Sequence, residues 1–146
     1  MRSTSVNTVL LLMLCAGLAP AQKKVIQPPE FPSGRPFSPA LLVDATLYVS
    51  GQVGNDLKTG KIPEEFEAEV RQCLENIGIL LKAGGMSFAD AVSVQVYLTD
   101  IGLFQRMNAV YTTFFPEPRP TRTTVGVAKL VGTARIEITV TARRPR

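Results

Sequence analysis

The sequence predicts a single α+β domain: one mixed β-sheet with two helices packed on one of its faces. Three observations predict it. Three segments alternate apolar and polar residues with a period of two, two segments repeat apolar residues at spacings of three and four, and the elements run strands, helix, strand, helix, strand, strand. Two helices are too few to cover both faces of such a sheet, so both go to one face. The other face is left for a partner, commonly a symmetric copy of the chain.

The 146-residue chain has room for one domain of ordinary size. Residues 1–21 read as a secretory signal. Arg2 gives a positive start, Val9–Leu14 and Cys15–Leu18 an apolar run, and Ala19-Pro20-Ala21 an A-x-A cleavage pattern. The run falls short of the about 20 apolar residues a bilayer span needs. Cleavage after Ala21, export to a periplasmic or secreted location and no stable membrane insertion are therefore expected, with an uncleaved N-terminal anchor as the alternative. Residues 22–40 carry Pro28, Pro29, Pro32, Pro36 and Pro39, a density that forbids a helix and gives an extended lead-in. The domain itself is expected over residues 41–143.

Within the domain, Leu47, Val49, Gly51 and Val53 alternate with Tyr48, Ser50 and Gln52, a strand signal, and Asn55–Gly60 reads as a turn. Pro63 lies near a helix start, and Glu64 and Glu65 suit the positive end of the helix dipole. Phe66, Val70, Cys73, Leu74, Ile77 and Leu81 then form one apolar stripe, and Gly84-Gly85 ends the helix. Val92, Val94, Val96 and Leu98 alternate with Ser93, Gln95 and Tyr97 as a second strand. Asp100 is placed to cap a second helix with the stripe Leu103, Met107, Val110, Tyr111 and Phe114, which Pro116, Pro118 and Pro120 stop. Two strands close the domain, from about Arg122 to Ala128 and from Arg135 to about Ala142.

Composition excludes several chemistries. The chain has no histidine, which removes His general bases, Ser-His-Asp and Cys-His catalysis and the usual His metal sites. Once residues 1–21 are gone, Cys73 is the last cysteine; it sits on the helical stripe and reads as a core residue, and no intrachain disulfide can form. Removing the signal takes one Arg and no acid, so the net charge falls from +4 to +3. Apart from Arg143, Arg144 and Arg146 at the end, that excess is spread along the chain, unlike the basic, aromatic-interleaved stripe of a nucleic-acid binder. Catalysis must run on Arg, carboxylates, hydroxyls, backbone groups and water.

Alternation puts Arg122, Thr124 and Gly126 on one face of their strand, and Glu137 with Arg135 and Thr139 on the face opposite Ile136, Ile138 and Val140. If the apolar residues pack on the helices, Glu137 points to the open sheet face. Arg122 opens its strand just after the Pro-rich segment, where a guanidinium can bind a carboxylate through two parallel hydrogen bonds. Glu137 can orient or deprotonate a water. On spacing alone the two also read as a solvated charge pair.

Arg119-Pro120-Thr121-Arg122-Thr123-Thr124-Val125-Gly126-Val127-Ala128-Lys129-Leu130, followed by Ile136-Glu137-Ile138, resembles the signature of the Rid (reactive intermediate deaminase, or YjgF) family. Leu47–Val53, Thr59-Gly60, Arg71–Ile77, Val96–Asp100 and Met107–Phe115 resemble other family segments in the same order, so the similarity covers about residues 35–143. The resemblance implies a chorismate-mutase-like fold and a homotrimer with its helices outside and three clefts between subunits. It implies hydrolysis of 2-aminoacrylate-type enamines and imines (a 2-iminobutanoate/2-iminopropanoate-type activity) to 2-oxo acids and ammonia, without metal or organic cofactor. Arg122 falls on the family's substrate-carboxylate arginine and Glu137 on its water-positioning glutamate. Ser50 and Gly51 match cleft-lining positions, and Asn108 a helix position of more structural character.

The sequence departs from the pattern at four places. Phe37, in Arg35-Pro36-Phe37, stands where many members have the Tyr of Gly-Pro-Tyr, and so lacks the hydroxyl. Thr124 replaces a frequent Cys but still carries a donor, Val131 replaces a Pro, and Gly126 a larger, often acidic residue. Phe37 and Thr124 remain candidate substrate contacts beside Ser50 and Gly51. The alternative reading is a trimer that binds a small carboxylate, or another protein, without turnover.

Overall fold

The computed structural model describes residues 22–144; the signal-like segment 1–21 lies outside them. The strands are β1 (Lys23–Ile26), β2 (Ala40–Val43), β3 (Thr46–Val53), β4 (Ala91–Leu98), β5 (Thr121–Gly126) and β6 (Ile136–Arg143), and the helices are α1 (Phe66–Ala83) and α2 (Phe104–Phe114). They form one six-stranded sheet in the order β1-β2-β3-β6-β4-β5. Every pairing is antiparallel except β4 with β5, so the sheet is mixed as the sequence predicts. Both helices pack on one face. Leu47, Val49, Val94, Val96, Leu98, Ile136, Ile138 and Val140 meet the α1 stripe there, all of them buried.

Local chemistry explains the helix ends. Glu67 and Glu69 lie in the first turn of α1 and Lys82 in its last, each at the dipole end that favours its charge. Gly85, at φ +72°, takes the left-handed turn after the helix, and Met86 N–H donates to the Leu81 carbonyl. The Asp100 carboxylate accepts from Gly102 N–H at 2.8 Å and caps the short 3₁₀ turn that leads into α2. Cys73 is a core thiol: it is fully buried, its Sγ donates to the Gln52 carbonyl at 3.0 Å, and burial pushes its pKa far up.

The structure corrects the sequence reading in four respects. Val49 pairs with Val140 but Gln52, not Gly51, pairs with Ile138, so a β-bulge at Ser50-Gly51 interrupts β3. Simple alternation puts Gly51 with Leu47 and Val49; the bulge turns it instead to the open face and sends Gln52 into the core, where it is 6% exposed. A second irregularity between Ala91 and Ser93 buries Ala91 and leaves Val92 exposed, so Val92 is not part of the core alternation. Arg135 does not share the face of Glu137. It lies just before β6 and turns to α1, where its Nε donates to Glu69 at 2.6 Å and its Nη2 to the carbonyls of Pro63 and Glu64. The fully buried Glu69 needs a cation of this kind, because an unpaired charge in the core is costly. Finally, the lead-in is not extended throughout: Lys23–Ile26 join the sheet as edge strand β1, and the proline-rich residues that follow turn and bend back toward β2.

Candidate functional site

The catalytic pair predicted from sequence occupies two separate cavities on opposite faces of the sheet. Arg122 pairs with Val94 and Thr124 with Val96, both core-facing, so their side chains point to the helix side of β5, the edge strand. There the Arg122 guanidinium carbon lies 4.5 Å from the centre of the Tyr111 ring and 5.5 Å from that of Phe104. Two aromatic faces on α2 thus hold the cation. The surrounding cavity, about 440 Å³, is lined by Asn108, Tyr111, Thr112, Arg119, Pro120 and Arg122. Arg119 is committed to Glu117, Arg106 to Glu67 and Arg135 to Glu69, whereas among the described residues Arg122 forms no ion pair. Among the described residues it is a positioned cation with no carboxylate partner.

Glu137 pairs with Tyr97 and Val53 on the open face. It shares a cavity of about 510 Å³ with Arg35, Phe37, Gly51, Val53, Asn55 and Val131. Here the bulge matters. An added Cβ on Gly51 would lie 1.9 Å from Glu137 Oε1, so the carboxylate rests directly on the glycine backbone. Of the sequence-predicted contacts, Gly51, Phe37 and Glu137 come together in this cavity. Ser50 does not line it; its hydroxyl donates to the Ser38 carbonyl at 2.7 Å and ties down the loop that carries Phe37. Thr124 stays on the Arg122 side. A third cavity, of about 490 Å³, lies between α1 and the segments at Pro29-Glu30 and Asp56–Lys58. Its buried amide, Asn76, is spent on the carbonyls of Val53 and Asn55, a structural use.

Sequence reasoning missed Tyr111 as a site residue, because at helical spacing it reads as part of the apolar stripe. Among the described residues, the buried side-chain oxygens without a hydrogen-bond partner are Tyr111 Oη and Thr124 Oγ1, and both belong to residues beside Arg122. Burial raises the Tyr111 phenol above its usual pKa, and the Arg122 charge beside it partly offsets that rise. An unsatisfied buried hydroxyl costs roughly 1–3 kcal/mol. Tyr111→Phe is therefore expected to leave the ligand-free chain as stable as wild type or to raise Tm by a few degrees, of order 1 kcal/mol. A lower Tm in thermal unfolding would show that the hydroxyl is bonded in the free protein.

A mixed six-stranded sheet with both helices on one face is the fold of the Rid/YjgF class, which its structural neighbours share. The chain belongs to the endoribonuclease L-PSP family, which it matches over residues 29–144. It is 41% identical over 118 residues to the 2-iminobutanoate/2-iminopropanoate deaminase of Rattus norvegicus, covering 80% of this chain and 86% of that relative. Among solved structures it is similar to RidA from the Antarctic bacterium Psychrobacter sp., with 35% identity, a TM-score of 0.79 and coverage of 83% of this chain and 99% of that one. It is also similar to E. coli TdcF with bound serine, at 32% identity and a TM-score of 0.78, covering 84% and 99% of the two chains.

Proposed function

We propose that the chain is a hydrolytic deaminase of 2-aminoacrylate-type enamines and imines, acting as a homotrimer and needing no metal or organic cofactor. The observation that carries this reading is the Arg122 guanidinium, without an ion pair among the described residues and held against two aromatic rings. A planar cation fixed in this way selects a carboxylate. The relationship to an imine deaminase of the rat supports the reaction class.

Because Arg122 and Glu137 lie on opposite faces, one subunit does not complete the site, and a symmetric assembly supplies what is missing. The open face exposes Tyr48 at 51% and Val125 at 40%, apolar surface suited to burial against other copies. In the clefts between subunits, Arg122 of one copy binds the substrate carboxylate, with the Thr124 hydroxyl a second donor. Glu137 of another copy orients water toward the imine carbon. Water oxygen bonds to that carbon, the carbon–nitrogen bond breaks, and ammonia and a 2-oxo acid leave. The protonated imine is already electrophilic, so positioning and charge complementarity suffice and no histidine is required. Export to a periplasmic or secreted location rests on residues 1–21 alone.

The test is a coupled assay in which an amino-acid oxidase makes 2-iminobutanoate in situ and 2-oxobutanoate release is followed. The wild-type chain should accelerate release and Glu137→Gln should lose about 10²-fold, in the range removal of a positioned base gives. Absence of any acceleration would reject catalysis. The missing Phe37 hydroxyl favours a second reading, ligand binding without turnover; thermal stabilisation by 2-oxobutanoate in a chain that does not accelerate release would establish it.

A further inference from the structure

The cavity that holds Glu137 also holds a cation. Arg35 lines it, with its guanidinium carbon 5.7 Å from the centre of the Phe37 ring. Among the described residues Arg35 forms no ion pair. It stands where the Gly-Pro-Tyr pattern has its glycine, so the charge is a feature of this chain and not of the pattern it resembles.

A short aliphatic imine leaves the Arg35 charge without a partner. In the single chain the cavity, about 510 Å³, is large enough to admit a longer side chain. On the deaminase reading the substrate carboxylate belongs to Arg122 of another copy, and the part of the substrate that faces the Glu137 cavity meets there a guanidinium seated on an aromatic ring. Such a group binds a planar anion better than it binds a methyl group. Building on the deaminase reading above, we propose that Arg35 is a specificity-determining residue and that the preferred substrates are imines of acidic amino acids, dicarboxylates of the 2-iminosuccinate and 2-iminoglutarate kind. The bonds made and broken are the same: carbon–oxygen forms, carbon–nitrogen breaks and ammonia leaves. The distal carboxylate stays on Arg35 throughout.

The experiment compares imines made in situ from glutamate and from 2-aminobutyrate, with the wild-type chain and Arg35→Met. Wild type should show the higher kcat/KM on 2-iminoglutarate. Arg35→Met should lower the ratio of the two kcat/KM values by about tenfold, as loss of one charge-assisted contact does. An unchanged ratio overturns the proposal. Calorimetric binding of the products, 2-oxoglutarate and 2-oxobutanoate, reads the same preference without turnover. A chain that hydrolyses neither imine would thus remove the deaminase reading, while selective binding of 2-oxoglutarate, lost in Arg35→Met, would still uphold the role of Arg35. Light scattering accompanies both: a changed assembly mass in Arg35→Met assigns Arg35 to a subunit contact and overturns the proposal.

Discussion

Replacing Arg122 with alanine is expected to lower kcat/KM for 2-iminobutanoate by about 10²- to 10³-fold, the range expected when one partner of a charge-assisted, two-point contact with a carboxylate is removed. The loss should not come from unfolding. Arg122 has no ion pair among the described residues, and its packing is the stack on Tyr111 and Phe104, worth roughly 0.5–2 kcal/mol. Thermal unfolding and assembly mass should therefore stay close to wild type. Arg122→Lys is the informative intermediate. It keeps the charge but loses the planar fork and the flat face that stacks on the rings, so it should recover only part of the affinity. The anchoring role is lost if Arg122→Ala turns over substrate at the wild-type rate, or if lysine restores the full rate and shows that any positive charge serves.

Most of the fold was legible in the sequence because most of it follows two periods. The stripe from Phe66 to Leu81 is α1, and the alternations Val94–Leu98 and Ile136–Val140 are the core faces of β4 and β6. The features that escaped are those in which a single residue breaks a period. Nothing in Tyr48–Val53 marks the bulge except Gly51, and a glycine inside a strand signals either a bulge or a close approach without saying which. Here it is both. Arg135 looked like a member of the β6 alternation, but it precedes the strand, and the buried Glu69 carboxylate draws it to the other side. That pull acts between residues 66 positions apart and leaves no local trace.

The sequence named candidate residues for the site but not their geometry. Arg122 and Glu137 could be picked out by type and strand face, yet whether they meet depends on how the sheet is completed. The structure puts them on opposite faces, and this makes the uncovered face with Tyr48 and Val125 part of the functional argument. Tyr111 shows a different limit. Its ring obeys the helical stripe and is 2% exposed, as a core residue should be, while its hydroxyl has no place in a core and is left without a partner beside the guanidinium. Periodicity registers the ring and is blind to the hydroxyl.

Gly51→Ala is expected to reduce kcat by about 10²-fold, close to the effect of Glu137→Gln, because it acts on the same carboxylate. A Cβ at position 51 would stand 1.9 Å from Glu137 Oε1 and 2.9 Å from its Cδ, closer than non-bonded atoms approach. The obstructing atoms are the end of a flexible side chain on the open face, so the carboxylate can swing aside and the backbone need not move. The bulge supplies the rest of the prediction. It already gives Gly51 a place outside the regular ladder, so the methyl group should disturb little of the β3–β6 pairing, and Tm should fall by only a few degrees. A fold kept and a rate lost would locate the damage at the water-orienting group. Full activity in Gly51→Ala, with Glu137→Gln still inactive, would mean that Glu137 works from an orientation other than the one resting on this glycine.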